Sequence, residues 1–263
     1  KDKSRKARIG TMSMTSLPTT STTSLQPRPP PPPPLAVPAK SAVTQELGQE
    51  SLPPPVSPRS RGEGFDFQVE ALSPRGEPLS YWHDIPVYPL DAQNEPTPYQ
   101  VNFVGEIPRC TRKKFEVVKE IEMNPIKQDV KKGKLREFGK GDIYFNYGCV
   151  PQTWEDPAYI HPDVGLGGDS DPLDACEIGL RLIPTGEVRT TKVLGVLCMI
   201  DEGEADWKLI VIDVQDPWAK ALDDISDVEQ QLPGTLDQIR EWWRTYKVPD
   251  GKPLNTFGLN ECF

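Results

Sequence analysis

Residues 167–174 read GGDSDPLD. Asp169 and Asp171 stand two apart, so in extended chain their carboxylates project to one side. Pro172 then forces a bend that can swing Asp174 back toward the same space. Three carboxylates so close repel one another, and their pKa values rise unless cations stand between them. Hard divalent ions meet that need: Mg²⁺ takes a few carboxylates, with waters and substrate phosphates completing its shell. Taken alone, the segment reads equally as a solvated acidic turn. A second acidic group, DEGEADWK at 201–208, places Asp201, Glu204 and Asp206 in the turn between two apolar stretches, with Lys208 on the stretch that leaves it.

Cationic and phenolic residues supply the complement. EIPRCTRKKFE (106–116) and KKGKLR (131–136) concentrate Lys and Arg. Arg grips phosphate through two parallel hydrogen bonds, and Lys acts as a point charge. Metal-binding acids, phosphate-binding cations and tyrosines together describe a site for a polyanion bridged by metals. Other chemistries lack their residues. GKLREFGKG (133–141) has five residues between Gly133 and Gly139 where a P-loop needs four, and Gly141 follows Lys140 where Ser or Thr is required. There is no GxSxG. His83 and His161 are the only histidines, so zinc sites rich in histidine and Ser–His–Asp triads have little material. His161, in an Asp/Pro loop, reads as a surface residue. His83, beside Trp82, reads as a packing or hydrogen-bonding residue.

Composition is uneven over the 263 residues. Residues 1–64 hold 13 of the 30 prolines and none of the 21 aromatics, so one core belongs to residues 65–263. Residues 1–62 carry nine Lys/Arg and three Asp/Glu, and the remainder carries 21 against 36, a balance of −15. Such an acidic domain is a poor nucleic-acid binder. No apolar run reaches the ~18 residues needed to span a bilayer. Cys110, Cys149, Cys176, Cys198 and Cys262 show no CxxC spacing and read as reduced packing residues.

The expected organisation is therefore a disordered arm, 1–64, and a folded domain, 65–263. The arm opens without Met, with Met12 and Met14 as candidate starts. Its segment TMSMTSLPTTSTTSLQ (11–26) is Ser/Thr-rich and free of acid and is followed by PRPPPPPP, which favours polyproline II or disorder. It fits either a plain tail or an organelle transit segment, and its proline run suits SH3-type or WW-type domains.

The elements that must position the candidate residues are short strands between loops rich in Gly, Pro and Asp. Phe65, Phe67 and Val69 alternate, and further strands are expected at 103–109, 115–119, 143–147, 193–200 and 207–214. Lys208, Ile210, Ile212 and Val214 share a face of the last. This pattern predicts a small closed barrel, mainly β with flanking helices. Thr235 and Gln238 predict a capping box opening a helix with Leu236, Ile239 and Trp243 on one face, which delivers Tyr246 and Lys247 at its end. A shorter helix is expected over 224–231.

In order along the chain, EIPR (106–109), NPIKQD (124–129), KKGKLR (131–136), NYG (146–148), PQTWEDP (151–157), GDSDPLD (168–174), EIG (177–179), DEGEADWK (201–208) and YKVPDGKP (246–253) resemble the soluble inorganic pyrophosphatases, their eukaryotic branch in particular. The resemblance implies an OB-like five-stranded barrel, with several Mg²⁺ ions per site and diphosphate split by a hydroxide held between metals. By position, Asp169, Asp174, Asp206, Asp201 and Glu116 resemble metal ligands, and Asp171 the residue that orients and deprotonates the water. Lys114, Arg136, Tyr147, Lys208, Tyr246 and Lys247 resemble phosphate contacts, with Glu106, Asp129 and Glu155 as acids behind them. It further implies a homodimer and a cytoplasmic enzyme, or one of mitochondrion or plastid where the arm is a transit segment. Three departures stand out. The segment between Arg136 and Tyr147 is short, with Ile143 where the family carries a tyrosine and Tyr144 beside it. Ser170 replaces Asn, and a C-terminal helix expected of the family lies beyond LNECF.

Overall fold

The computed structural model describes residues 55–91 and 93–263. The expectations for residues 1–54 lie outside the described residues.

Alternation of apolar and polar side chains lets an antiparallel sheet bury one face, and the chain uses it to build two sheets. The smaller contains β1 (Ser57–Arg61), β2 (Gln68–Leu72), β3 (Pro78–Leu79), β5 (Phe115–Val117) and β6 (Ile126–Gln128), in the order β1–β2–β6–β5 with β3 beside β2. The larger contains β4 (Gln100–Ile107), β9 (Asn146–Cys149), β10 (Asp174–Glu177), β11 (Val188–Asp201), β12 (Glu204–Asp213) and β13 (Thr256–Phe257). Its order is β12–β10–β9–β4–β11, and β11 also pairs with β12, so five strands close into a ring. This is the small closed barrel, mainly β, that the strand pattern predicted, in the five-stranded OB-like form that the resemblance implied. β13 adds to the outer side of β11. A separate hairpin joins β7 (Val130–Lys131) to β8 (Lys134–Leu135).

Two details fix the barrel. The β11–β12 turn places Glu202 and Gly203 at φ 50° and 97°, the left-handed pair whose twist matches flanking strands. On β9, a Cβ at Gly148 would lie 1.9 Å from the Val104 carbonyl oxygen, so only glycine lets β4 approach.

Helices α1 (Ile225–Gln231) and α2 (Thr235–Thr245) follow β12. The buried face of α2 carries Leu236, Ile239, Trp242 and Trp243, which join Tyr147, Cys176, Leu197 and Ile210 of the barrel in one core. Truncating either tryptophan to Ala would cost about 3–5 kcal/mol.

Several expectations need correction. β1 lies inside the arm expected to end at residue 64, because Ser57–Arg61 finds a full antiparallel register on β2 and Arg59 pairs with Glu70 at 2.5 Å. Phe65 sits in a 3₁₀ turn, Gly64–Asp66, and is exposed; the alternation that buries residues begins at Val69 and Ala71. The predicted capping box is absent at Thr235. Gly234, at φ 82°, occupies the cap position, where a side-chain acceptor is missing. A capping box does open α1, between Asp224 and Asp227. The strand expected at 143–147 starts only at Asn146, after Ile143 has entered the core. His161, read as a surface residue, is half-buried against Trp207, 5.0 Å between ring centres, whereas His83 packs as expected, its exposed ring stacked on Trp82.

Candidate active site

At one side of the barrel a cleft of about 170 Å³ gathers residues from six strands, the end of α2 and two loops. Of the fifteen anticipated residues, thirteen line it; Asp129 and Glu155 stand directly behind. Its acidic side begins with the loop 167–171. That loop lies against residues 155 and 156: the Ser170 amide donates to the Glu155 carbonyl at 2.9 Å, and the Glu155 amide to the Asp171 carbonyl at 2.9 Å. A Cβ at Gly168 would sit 2.3 Å from the Glu155 carbonyl oxygen, so glycine is what permits this contact. Ser170 turns the chain at φ 70°, and Asp169 accepts from the Asp171 amide at 3.0 Å. Burial, with the Asp174 and Asp171 charges nearby, pushes the Asp169 carboxyl up to about 6.

Asp174 opens β10, whose parallel pairing with β12 sets it beside Lys208. Asp206 precedes Lys208 by two residues and therefore shares its face. The Lys208 ammonium, 1% exposed, bonds both Asp174 and Asp206, and the Tyr147 hydroxyl donates to Asp174 as well. Burial opposes the Lys208 charge, yet Asp174 and Asp206 outweigh it and hold the ammonium well above its ordinary range. The same burial raises Asp206, against the pull of Lys208. Beneath lies Trp243, with its ring centre 4.9 Å from the ammonium. Asp201, at the end of β11, accepts from Tyr246 at 3.2 Å and from Lys247 at 2.5 Å, so the last turn of α2 reaches the site as expected.

The cationic side is organised around Asp129. Its carboxylate accepts from Arg136 at 2.7 Å and faces Lys114 at 3.6 Å. Backbone bonds lock the three together: Lys114 amide to Arg136 carbonyl at 3.0 Å and Asp129 amide to Lys114 carbonyl at 2.8 Å. Burial raises the Asp129 carboxyl, but the Arg136 bond and both cations bring it below the usual carboxylate range. Lys114 also holds Glu116 at 2.6 Å. Glu106, buried, accepts from the Val117 amide at 2.7 Å, and burial followed by the Asp174 charge drives its carboxyl far above normal.

Glu155 takes the Trp207 amide on Oε1 at 2.9 Å, while its buried Oε2 has no hydrogen-bond partner. Burial and the charges of Asp174 and Asp206 push this carboxyl to about 9. Glu155, Asp169 and Asp206 present oxygens within 4.8 Å of one another. An unpartnered buried carboxylate oxygen inside an all-oxygen trio fits a hard divalent cation. Two neighbours were not anticipated. Lys119 pairs with Asp171 and donates to the Ser170 carbonyl at 2.7 Å; nothing in the sequence around 119 signals this. Trp243 carried only the signal of a core-facing helix position, since what lies over its ring depends on tertiary packing.

Comparison with known proteins gives one answer. A sequence model of the inorganic pyrophosphatase family matches residues 103–262. An inorganic pyrophosphatase of Schizosaccharomyces pombe is 52% identical over 203 residues, covering 75% of this chain and 68% of that protein. The solved inorganic pyrophosphatase of Schistosoma japonicum superposes with a TM-score of 0.74 at 47% identity, covering 79% of this chain and 73% of the other. A truncated Trypanosoma cruzi vacuolar soluble pyrophosphatase, solved in complex with PPi, gives 0.75 at 40% identity, covering 85% and 89%.

Proposed function

Because the chain belongs to the inorganic pyrophosphatase family, a family of metal-dependent hydrolases, we propose that it hydrolyses inorganic diphosphate to two phosphates in the cleft between Asp171 and Arg136. One observation carries this reading: acids suited to divalent metals and cations suited to phosphate line a single small cleft, with little apolar wall.

Asp169, Asp174, Asp206, Asp201 and Glu116 would hold the metal ions, with Glu155 behind them, and we propose Mg²⁺ as the ion. When bound, such ions acidify a water and neutralise charge on the departing phosphate. The chain's own residues do the rest. Asp171, 53% exposed at the cleft, takes the proton of the attacking water. Lys114, Arg136, Tyr246 and Lys247 bind and orient the phosphates, with Tyr147 and Lys208 at the floor. The resting pairs matter here, because each cation is balanced by an acid: Lys114 by Glu116, Lys208 by Asp174 and Asp206, Lys247 by Asp201. On loading, the acids of these pairs would face the metal ions, and Lys114, Lys208 and Lys247 would turn to the phosphates of the substrate. The cleft lining holds seven acids against four cations, so the pairs balance only part of the negative charge and leave the excess for divalent metal ions.

We take the catalytic domain to begin with the described strand β1 and assign the chain to the cytoplasm as a homodimer. No helix among the described residues is long and apolar enough to cross a membrane. The test is phosphate release from diphosphate, with and without Mg²⁺, beside release from nucleoside triphosphates. Metal-dependent turnover confined to diphosphate is expected. Equal release from nucleotides would make this a broader phosphatase, and no release would end the reading.

A further inference from the structure

The KKGK segment is not absorbed by the cleft. Lys131 and Lys134 face each other directly across the two-stranded hairpin of β7 and β8, joined by the tight turn Lys132–Gly133 at φ 53° and 72°. All three lysines are exposed, and among the described residues none has an ion-pair partner. Like charges opposite one another on neighbouring strands destabilise the pair. This hairpin therefore carries a stability cost that no acid relieves, in a domain whose residues 63–263 bear 21 cations against 36 anions. Its position is specific. Arg136, the residue after β8, lines both the cleft and a groove of about 360 Å³ lined by the lysines, so the lysine surface and the cleft meet at this residue. Glu137 and Asp250 also line the groove, two acids against the four cations Lys131, Lys132, Lys134 and Arg136 and too few to cancel them.

We propose that the Lys131–Lys134 hairpin is an electrostatic capture surface for diphosphate, which it draws from solution and passes along Arg136 into the cleft. The proposal rests on the diphosphate-hydrolysis reading above. The acidic domain otherwise repels a polyanion, and a local patch of like sign at the mouth restores a favourable path.

The test measures kcat and kcat/KM for diphosphate at fixed free Mg²⁺ across ionic strength, in the wild type and in a variant with Lys131, Lys132 and Lys134 all changed to Gln. The triple variant is expected to lose about threefold to tenfold in kcat/KM at low salt. Its kcat at saturation stays unchanged, and the two proteins converge near 1 M salt, where the Debye length falls to about 3 Å. Lys134→Glu alone replaces the repulsion with a cross-strand ion pair. It should hold or raise the melting temperature while still lowering kcat/KM, which separates capture from structural damage. Equal kcat/KM and equal salt slopes in an active wild type and its triple variant would overturn capture and leave the hydrolase reading intact. A wild type inactive on diphosphate overturns both.

Discussion

Two groups of buried acids sit at opposite ends of β10, and their oxygens are treated differently. At the far end, Glu177 accepts on one oxygen from the amides of Gly179 and Asp213, both at 2.9 Å, and on the other from Asn146 at 2.7 Å. Asp216 nearby accepts from the amides of Leu180 and Trp218 at 2.8 and 2.9 Å. At the near end, Glu155 leaves Oε2 without a donor and shares its space with Asp169 and Asp206. Burial raises both glutamates, Glu177 to about 7 and Glu155 to about 9. Burial alone therefore does not mark a working acid. Fixed N–H donors around one group make it part of the scaffold; other carboxylates around the second make it a place for cations.

That contrast can be broken at four points, taken in descending order of expected effect. Asp171→Asn should lower kcat by about 10²–10⁴-fold, the usual worth of a positioned proton acceptor. Because Asp171 is exposed and its pair with Lys119 is a surface one, the denaturation midpoint should hardly move; near-normal kcat would remove it from its assigned role. Lys208→Met leaves Asp174 and Asp206 buried without their cation. A stability loss of about 3–5 kcal/mol is expected in metal-free buffer, with part recovered on adding Mg²⁺. Urea titrations of both proteins, with and without the ion, decide this, and an unshifted midpoint would show that the acids need no counter-charge.

Glu177→Gln tests the scaffold end. In the native protein this carboxyl keeps its proton up to about pH 7, whereas the ordinary value is 4.5. The folded state thus binds more protons across that window, and stability falls as pH rises from 4.5 to about 7. The substitution should remove this slope. It should also cost about 1–3 kcal/mol, because its NH₂ would face the Asn146 amide donor. Persistence of the slope in pH-dependent unfolding would locate it elsewhere. The smallest change is Ser170→Asn. At φ 70° Asn is better tolerated than Ser, so a gain on the order of 0.5 kcal/mol is expected with kcat unaltered. A lower melting temperature would mean that the Ser170 hydroxyl, 3.2 Å from Trp154 Nε1, contributes more than the turn.

The site was largely legible in sequence because its residues cluster in short, chemically dense runs. GDSDPLD and DEGEADWK both place acids at strand ends, and α2 has one unmistakable apolar face ending at Tyr246 and Lys247. What escaped reading depends on contacts between distant segments. Lys119 meets Asp171 only because the 167–171 loop folds over the end of β5, and Glu155 joins Asp169 and Asp206 only through backbone bonds between two loops. The early strand β1 escaped for a different reason: SPRSR has no apolar alternation, and pairing with β2 alone makes it a strand. The Thr235 cap failed because Pro233 and Gly234 impose their own turn, which places the helix start one residue earlier.

One feature of the barrel bears on how the molecule forms. The β11–β12 hairpin is local, closed by a two-residue turn, and such units form within microseconds. The β10–β12 seam is the parallel pairing in the ring, and it joins Asp174 to Lys208 across the whole excursion of β11. Contacts of that separation form late, after the loop entropy has been lost. During refolding, strand signal should therefore return before diphosphate turnover. A chain halted between the two would carry its ammonium and its carboxylates on surfaces that have not yet met.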